Sequence, residues 1–348
     1  MSMMAVVKTA PGVGNVTWME VPEPECKPDG VKIEVRYSGI CGTDLHVFYD
    51  RFRNFPPVIL GHEFSGVVVE TGAEVTRVKP GDRVTVLPSS AVVCGTCDYC
   101  VRGYYMFCAV RRGMGHGVNG SFAKYVAVRD DQVYKLPETM SFEEGALTEP
   151  FATAVQAIED LTDFHVGDIV LLSGPGPIGL LCLSLLVAHH CKVIVAGADD
   201  CARLEIARAM GADVLVDVTK QDLAEVIRRE TDGRGVDIAV NASGTAESVV
   251  ASLAAVRPTG RLVQVGIAGR DVTLPYDQLL YKQISLFGSV GHSLKSWRRV
   301  MNILEQGKVN LSRVISHKLP ISRWREAFDL CESKLGVKVL LHYDGMEL

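Results

Sequence analysis

Four cysteines stand at Cys94, Cys97, Cys100 and Cys108, in the spacing C-x2-C-x2-C-x7-C. Thiolates this close along a chain, with Gly95 and Gly103 available for tight turns, suit a closed tetrahedral zinc site. Four sulfurs leave no position open to water, so the expected role is structural. An iron–sulfur cluster uses the same ligands, and disulfides are the other use of paired cysteines. The stretch Met1 to Val7 lacks a basic region, an apolar run and a small-residue cleavage site, so no secretory signal is expected. The expected compartment is the reducing cytoplasm, where thiols stay free or bind metal.

A second group is more dispersed. Cys41 lies in Gly39-Ile40-Cys41-Gly42-Thr43-Asp44-Leu45-His46, and His62 and Glu63 follow Gly61. A soft thiolate, an imidazole and a carboxylate together can hold zinc and leave room for a substrate oxygen. Glu149 is an acid in a small and apolar stretch, Gly145-Ala146-Leu147, where an unpaired carboxylate is costly to bury. A metal would explain it. Each residue also has an ordinary reading: a core cysteine, a hydrogen-bonded histidine, a salt-bridged glutamate. Thr43 and His46 could pass a proton from an alcohol to solvent, or serve as a turn threonine and an exposed histidine.

Gly174-Pro175-Gly176-Pro177-Ile178-Gly179 fits G-x-G-x-x-G, following an expected strand and opening an apolar helix. Glycines there permit a tight turn and close backbone approach, and the helix N-terminus faces a pyrophosphate. The acid that would hold the ribose falls about 20 residues further on. Gly197 occupies the end of the second strand, and Asp199 and Asp200 follow. Either could reach the ribose and favour NAD, or both could cap the next helix. Arg203 could stack on adenine or bind a phosphate, which keeps NADP open.

Elements that would position these residues differ between the two halves of the 348-residue chain. Residues 1–150 are rich in Gly and Pro with short alternating runs, such as Val31 to Val35, Gly66 to Glu70 and Arg83 to Val86, and read as a β-rich domain. From about 155 to 290 strands and helices alternate. Strands are expected at Ile169 to Ser173, Val193 to Ala196, Val214 to Val218, Val236 to Asn241, Leu262 to Val265 and Ile284 to Ser289. Six such strands imply a doubly wound parallel sheet. The tail holds helices near Trp297 to Glu305 and Trp324 to Glu332, then an apolar strand, Val337 to Leu341, expected to return to the first domain. A formal net charge of -5 gives no footprint for nucleic acid or an anionic membrane. The apolar run Ile178 to Ala188 is far short of the roughly 20 residues of a membrane span.

Taken together, Gly39 to His46, Gly61-His62-Glu63, the four-cysteine lobe, Thr148-Glu149-Pro150 and Gly174 to Gly179 make the chain similar to a known family. It resembles the zinc-containing medium-chain dehydrogenases over nearly its whole length, closest to sorbitol (L-iditol) and other polyol dehydrogenases, with threonine dehydrogenase nearby. The resemblance implies an α/β fold with a GroES-like catalytic domain (1–153 with the return segment 291–348) and a Rossmann domain (154–290). It implies two Zn²⁺ per chain, the catalytic one on Cys41, His62, Glu63 and Glu149, and NAD or NADP as cofactor. Ile178, Arg203, Val265-Gly266-Ile267 and Ser289-Val290 fall where the family contacts the cofactor. The implied reaction oxidises a secondary alcohol of a polyol or sugar derivative to a ketone, in the cleft between domains, by a homodimer or homotetramer. Polyol-phosphate and L-threonine-type oxidation are alternatives within the family. A zinc-free enone or quinone reductase would not need this ligand set, and a non-enzymatic nucleotide-binding protein would lack turnover. Sorbitol dehydrogenases carry a tyrosine where this chain has Val47 and an arginine near His292, so sorbitol itself is not implied. Arg51, Arg53 and Lys124 read as charged surface, or as the binding groups for a phosphorylated polyol.

Overall fold

The computed structural model describes residues 1–343 and divides into two compact units. The first holds Met1–Glu149, His292–Gly307 and the chain from Ile315 onward. The second holds Pro150–Gly291 and Lys308–Val314.

Strands of the first unit begin with β1 (Ser2–Lys8), β2 (Val16–Pro22), β3 (Gly30–Gly39) and β4 (Val58–Ile59). They continue with β5 (Glu63–Thr71), β6 (Arg83–Val86), β7 (Tyr125–Arg129) and β8 (Val133–Lys135). Burial along β3 alternates from Ile33 to Arg36, the period-2 signature of a strand with one face in a core. Val31, Ile33 and Val35 meet Phe64, Val68, Val84 and Val126 in one apolar cluster.

The second unit carries β9 (Ile169–Ser173), β10 (Lys192–Gly197), β11 (Val214–Asp217), β12 (Val236–Asn241), β13 (Val256–Gln264) and β14 (Ser285–Gly288). All pair in parallel in the order β11-β10-β9-β12-β13-β14. This is the doubly wound order with its switch point between β9 and β12. Central strands β9, β10 and β12 are buried almost throughout, which is why they read as continuous apolar runs. β14 forms an open edge with Leu286 exposed. The helix Pro177–Ala188 is apolar on every side and buries Gly179 to Leu183, Leu185 and Leu186.

Two last strands, β15 (Ile315–Pro320) and β16 (Lys338–His342), complete the first unit. β16 pairs antiparallel with β3, setting Leu340 opposite Gly39 and Leu341 opposite Ser38. The resulting sheet runs β15-β16-β3-β5-β6-β8, with β7 also on β3. This register brings Lys338 beside the start of β5, where Glu63 sits.

Candidate functional site

Cys41 immediately precedes the helix Gly42–Phe48, and Glu63 opens β5 with His62 directly before it. Their ligand atoms lie within 4.8 Å of one another. Asp44 joins the two segments: its carboxylate accepts from the Cys41 N–H (2.9 Å) and the Gly61 N–H (3.2 Å). The same carboxylate lies 3.7 Å from His62 Nδ1, a buried nitrogen without a closer partner. A carboxylate behind a histidine ring fixes the ring so that its other nitrogen can face a metal. Burial works against a charge on His62, yet Asp44, Cys41 and Glu149 together raise its pKa well above the ordinary value. A buried site that draws positive charge this strongly fits a divalent cation, and thiolate, imidazole and carboxylate are donors zinc accepts.

Glu63 is held from the other side. Lys338 Nζ donates to both its carboxylate oxygens, at 2.9 and 2.7 Å, and to the Ile40 carbonyl at 3.0 Å. Glu149, in the first turn of the helix Thr148–Val155, has its Oε1 3.3 Å from His292 Nε2. Burial opposes its charge, but the His292 bond, with His62 and Lys338 nearby, holds its carboxyl below the usual range. Among the described residues the close cluster is Cys41, His62 and Glu63. Glu149 is near enough for its charge to act on both His62 and Glu63. Thr43 and His46 share the helix that follows Cys41, three positions apart and so on one face, with Thr43 half-buried and His46 exposed. Val47, by contrast, is buried in the apolar cluster with Leu60 and Phe328.

The four-cysteine lobe folds back on itself through Gly95 and Gly103, both at positive φ. Its sulfurs also lie within 4.8 Å of one another, Cys94 and Cys100 at 3.9 Å. A tetrahedron with Zn–S bonds of about 2.3 Å has edges of about 3.8 Å. All ten cysteines are free thiols, so disulfides do not account for the cluster. Backbone N–H groups of Thr96 and Cys97 draw the Cys94 thiol down to about 6, while burial and the neighbouring sulfurs push Cys100 up to about 12. Sulfurs that cannot all ionise alone need a shared cation, and the donor set fits zinc.

In the second unit, the expected cofactor residues gather at the carboxyl edge of the sheet. Ser173, Asn241, Gln264 and Gly288 end β9, β12, β13 and β14 in one row of the ladder. Gly174 takes φ +98°, and a side chain there would press on Ser243 at 2.7 Å. A side chain at Gly179 would run into the Gly174 carbonyl oxygen. Gly176 caps the helix and Pro177 is its first residue, a position where the missing N–H costs nothing. Val265 and Gly266 both donate to the Asn241 carbonyl, at 2.9 Å each, and Ser289 donates to Gln264. Ile267 and Val290 are exposed. Gly197 ends β10 with Pro175 so close that an added Cβ would lie 3.1 Å from its Cγ. Asp199 donates its N–H to the Asp217 carboxylate, and Arg203 Nε lies 3.7 Å from the Asp200 carboxylate. This row fits a dinucleotide: a turn without side chains at the switch point, facing a helix N-terminus.

Sequence reasoning passed over Asp44, Lys338 and Arg111. The signal for Lys338 was present, since a lysine inside the apolar strand Val337 to Leu341 needs a buried partner. Asp44 carries no such signal, since an acid in the first turn of a helix, where the structure places it, is common.

Residues 27–138 match the alcohol dehydrogenase GroES-like domain, and residues 177–306 match the zinc-binding dehydrogenase domain. The chain is 40% identical to D-arabitol-phosphate dehydrogenase of Enterococcus avium, covering 99% of each sequence. It is 37% identical to sorbitol dehydrogenase of Halalkalibacterium halodurans, covering 97% of this chain and 99% of that one. Among solved structures, a zinc-binding dehydrogenase of Sinorhizobium meliloti bound to NADP superposes with a TM-score of 0.89 at 31% identity, covering 98% of this chain and 99% of that chain.

Proposed function

The chain belongs to the zinc-binding medium-chain dehydrogenases, and from that premise we propose that it oxidises a secondary alcohol of a polyol or sugar derivative to a ketone, with NAD(P) as hydride acceptor. The observation that carries the proposal is the convergence of Cys41, His62 and Glu63, with Glu149 opposed to His292 beside them. We assign the catalytic zinc to Cys41, His62 and the acids Glu63 and Glu149, and a structural zinc to Cys94, Cys97, Cys100 and Cys108. Residues 154–290 are taken as the nucleotide-binding domain, inserted between 1–153 and 291–348.

Zinc, when bound, supplies a Lewis acid that lowers the pKa of a substrate hydroxyl. Asp44 orients the His62 ring and ties it to the Cys41 backbone, so that the donors are set before substrate arrives. Burial raises the Glu63 pKa, Lys338 opposes that rise through two hydrogen bonds to the carboxylate, and His292 aims Glu149. The Thr43 hydroxyl accepts the substrate hydroxyl's proton as it gives up its own towards His46, which is exposed on the same helix face and releases a proton to solvent. Gly176 leaves the dinucleotide room to approach the helix N-terminus, while Gly174 makes the turn at positive φ and Gly179 lets the helix pack against it.

No helix among the described residues is long and apolar enough to cross a membrane. We place the protein in the cytoplasm and propose a homodimer or homotetramer joined at the open β14 edge. Leu286 and Val290 there, and Tyr276, Leu280 and Tyr281 before it, are exposed apolar residues that a partner copy would cover.

The test is formation of reduced nicotinamide by the zinc-loaded protein, with NAD and NADP in parallel. The panel holds sorbitol, xylitol, L-iditol, tetritols, polyol phosphates, L-threonine and simple alcohols. Turnover of a polyol or its phosphate that a chelator abolishes and zinc restores is the expected result. Silence on every polyol and polyol phosphate, with zinc and dinucleotide both bound, would overturn it.

A further inference from the structure

The first unit carries an open cavity of about 550 Å³ with a basic wall. Arg53, Arg111 and Arg112 line it, together with Val92 and Val118. Among the described residues no carboxylate comes within 4.0 Å of any of these three guanidinium groups. Many other arginines of the chain do find one, as Arg129 finds Asp131, Arg257 finds Asp237 and Arg323 finds Glu326.

These arginines are held in place by contacts that do not neutralise them. Arg53 and Arg112 both lie over the Phe55 ring, 4.9 and 4.3 Å from its centroid. Phe55 is itself fixed by its N–H, which donates to the His116 carbonyl. Arg111 donates through Nε to the Ser89 carbonyl at 3.3 Å, and no described residue accepts from its two Nη atoms. Bringing three cations to one wall without a counter-charge costs energy, and a ligand carrying two negative charges repays it. A phosphate monoester carries about −1.5 to −2 at neutral pH, and its oxygens match the planar guanidinium fork.

The cavity wall packs against the segment that carries His62. A Cβ added at Gly113 would lie 2.6 Å from His116 Nε2 and 2.7 Å from Arg111 Nη2, and one added at Gly115 would lie 2.8 Å from the carbonyl oxygen of Gly61, the residue before His62. Burial pushes the Arg111 pKa down, and the Glu149 carboxylate acts on it in the opposite direction. Burial, with His62 and Arg111 nearby, pushes the His116 pKa down to about 3.

We propose that Arg53, Arg111 and Arg112 form a phosphate subsite, and that the polyol oxidised beside Cys41, His62 and Glu149 is a phosphate monoester. The proposal rests on the reading of that centre given above. The experiment compares a pentitol with its terminal phosphate ester on the zinc-loaded protein, by steady-state kinetics and by calorimetric titration, with inorganic phosphate as competitor. We expect kcat/KM for the ester to exceed that for the pentitol at least tenfold, mostly through KM, and inorganic phosphate to compete. The ratio should collapse at least tenfold in Arg111→Gln and, should that variant fold poorly, in the exposed pair Arg53→Ala with Arg112→Ala. Equal kcat/KM for the two compounds, or a preference that survives both variants, overturns the subsite. Binding of the ester without turnover, lost in the variants, would support the subsite and count against the oxidation reading. Turnover of the pentitol alone would do the reverse.

Discussion

Lys338 and Glu63 form a buried ion pair across 275 residues of sequence, with the Lys338 ammonium 2.7 and 2.9 Å from the two carboxylate oxygens. Gly39, opposite Glu63 in the β3–β5 ladder, leaves the room for it, since any side chain at Gly39 would collide with the Glu63 carboxylate. Burial alone would raise the Glu63 pKa and lower that of Lys338, and each partner counters this for the other.

Removing one partner leaves an uncompensated buried charge. Lys338→Met should destabilise the protein by about 3–5 kcal/mol. Thermal and urea denaturation of the protein with its catalytic metal stripped measure the loss, since a bound zinc would itself compensate Glu63 and Glu63→Gln would remove one of its proposed ligands. The double variant Lys338→Met with Glu63→Gln should recover at least half of it, because the charge itself is gone. A double variant no more stable than the single one would mean that packing, not charge, holds this position.

Asp44 acts through His62 and through backbone. Asp44→Asn retains an acceptor oxygen but loses the charge behind the His62 ring. Affinity for the catalytic metal should fall about 10–100-fold. Competition with a chromogenic chelator reads this directly, and the structural lobe serves as an internal control because it shares no residue with Asp44. Equal loss at both sites would point to general unfolding instead.

What the sequence made legible follows from how local each feature is. The cysteine lobe and the Gly174–Gly179 turn are contiguous, and their chemistry is visible in their spacing. The central strands β9, β10 and β12 were legible because strands buried on both faces read as unbroken apolar runs, whereas β13 begins at Val256, before the expected Leu262, where its exposed residues break the apolar run. The β1–β2 pair was not, since β2 is largely exposed and carries no clean alternation of hydrophobicity. Lys338 needed β16 to dock on β3 before its partner could be known. Arg111 and Arg53 meet at one cavity only once the loops that follow Phe52 and Cys108 are folded. Val47, where the resemblance sets a tyrosine in sorbitol dehydrogenases, lies in the apolar cluster with Leu60 and Phe328, a burial that no local pattern around it signals.

The four-cysteine lobe should lose its metal without taking the other centre with it. Cys100→Ser removes a buried ligand, and the zinc content should fall from two ions per chain to one. Amides from Cys94 to Cys108 should then exchange faster with deuterium, as should those near Leu294, whose N–H donates to the Gly103 carbonyl. Metal analysis and exchange mass spectrometry check both. Retention of two zinc ions with unchanged exchange would remove the structural role.

Gly176 and Gly179 separate cofactor approach from packing. An added Cβ at Gly176 meets nothing within 4 Å, and the backbone there has φ −74°, which alanine adopts without strain. At Gly179 the same Cβ strikes the Gly174 carbonyl oxygen, a backbone atom that cannot step aside. Gly179→Ala should therefore cost about 1–3 kcal/mol of stability as an overpacked site. Gly176→Ala should leave stability within about 0.5 kcal/mol, as an open surface position does. Yet Gly176 caps the helix where a pyrophosphate would rest, so its methyl would occupy the ligand's path. The dinucleotide Kd should weaken by about tenfold or more, worth about 1.4 kcal/mol. Titration of reduced dinucleotide by fluorescence, beside melting curves for both variants, distinguishes the two effects. Unchanged affinity in Gly176→Ala would mean that the dinucleotide does not approach this turn through its backbone.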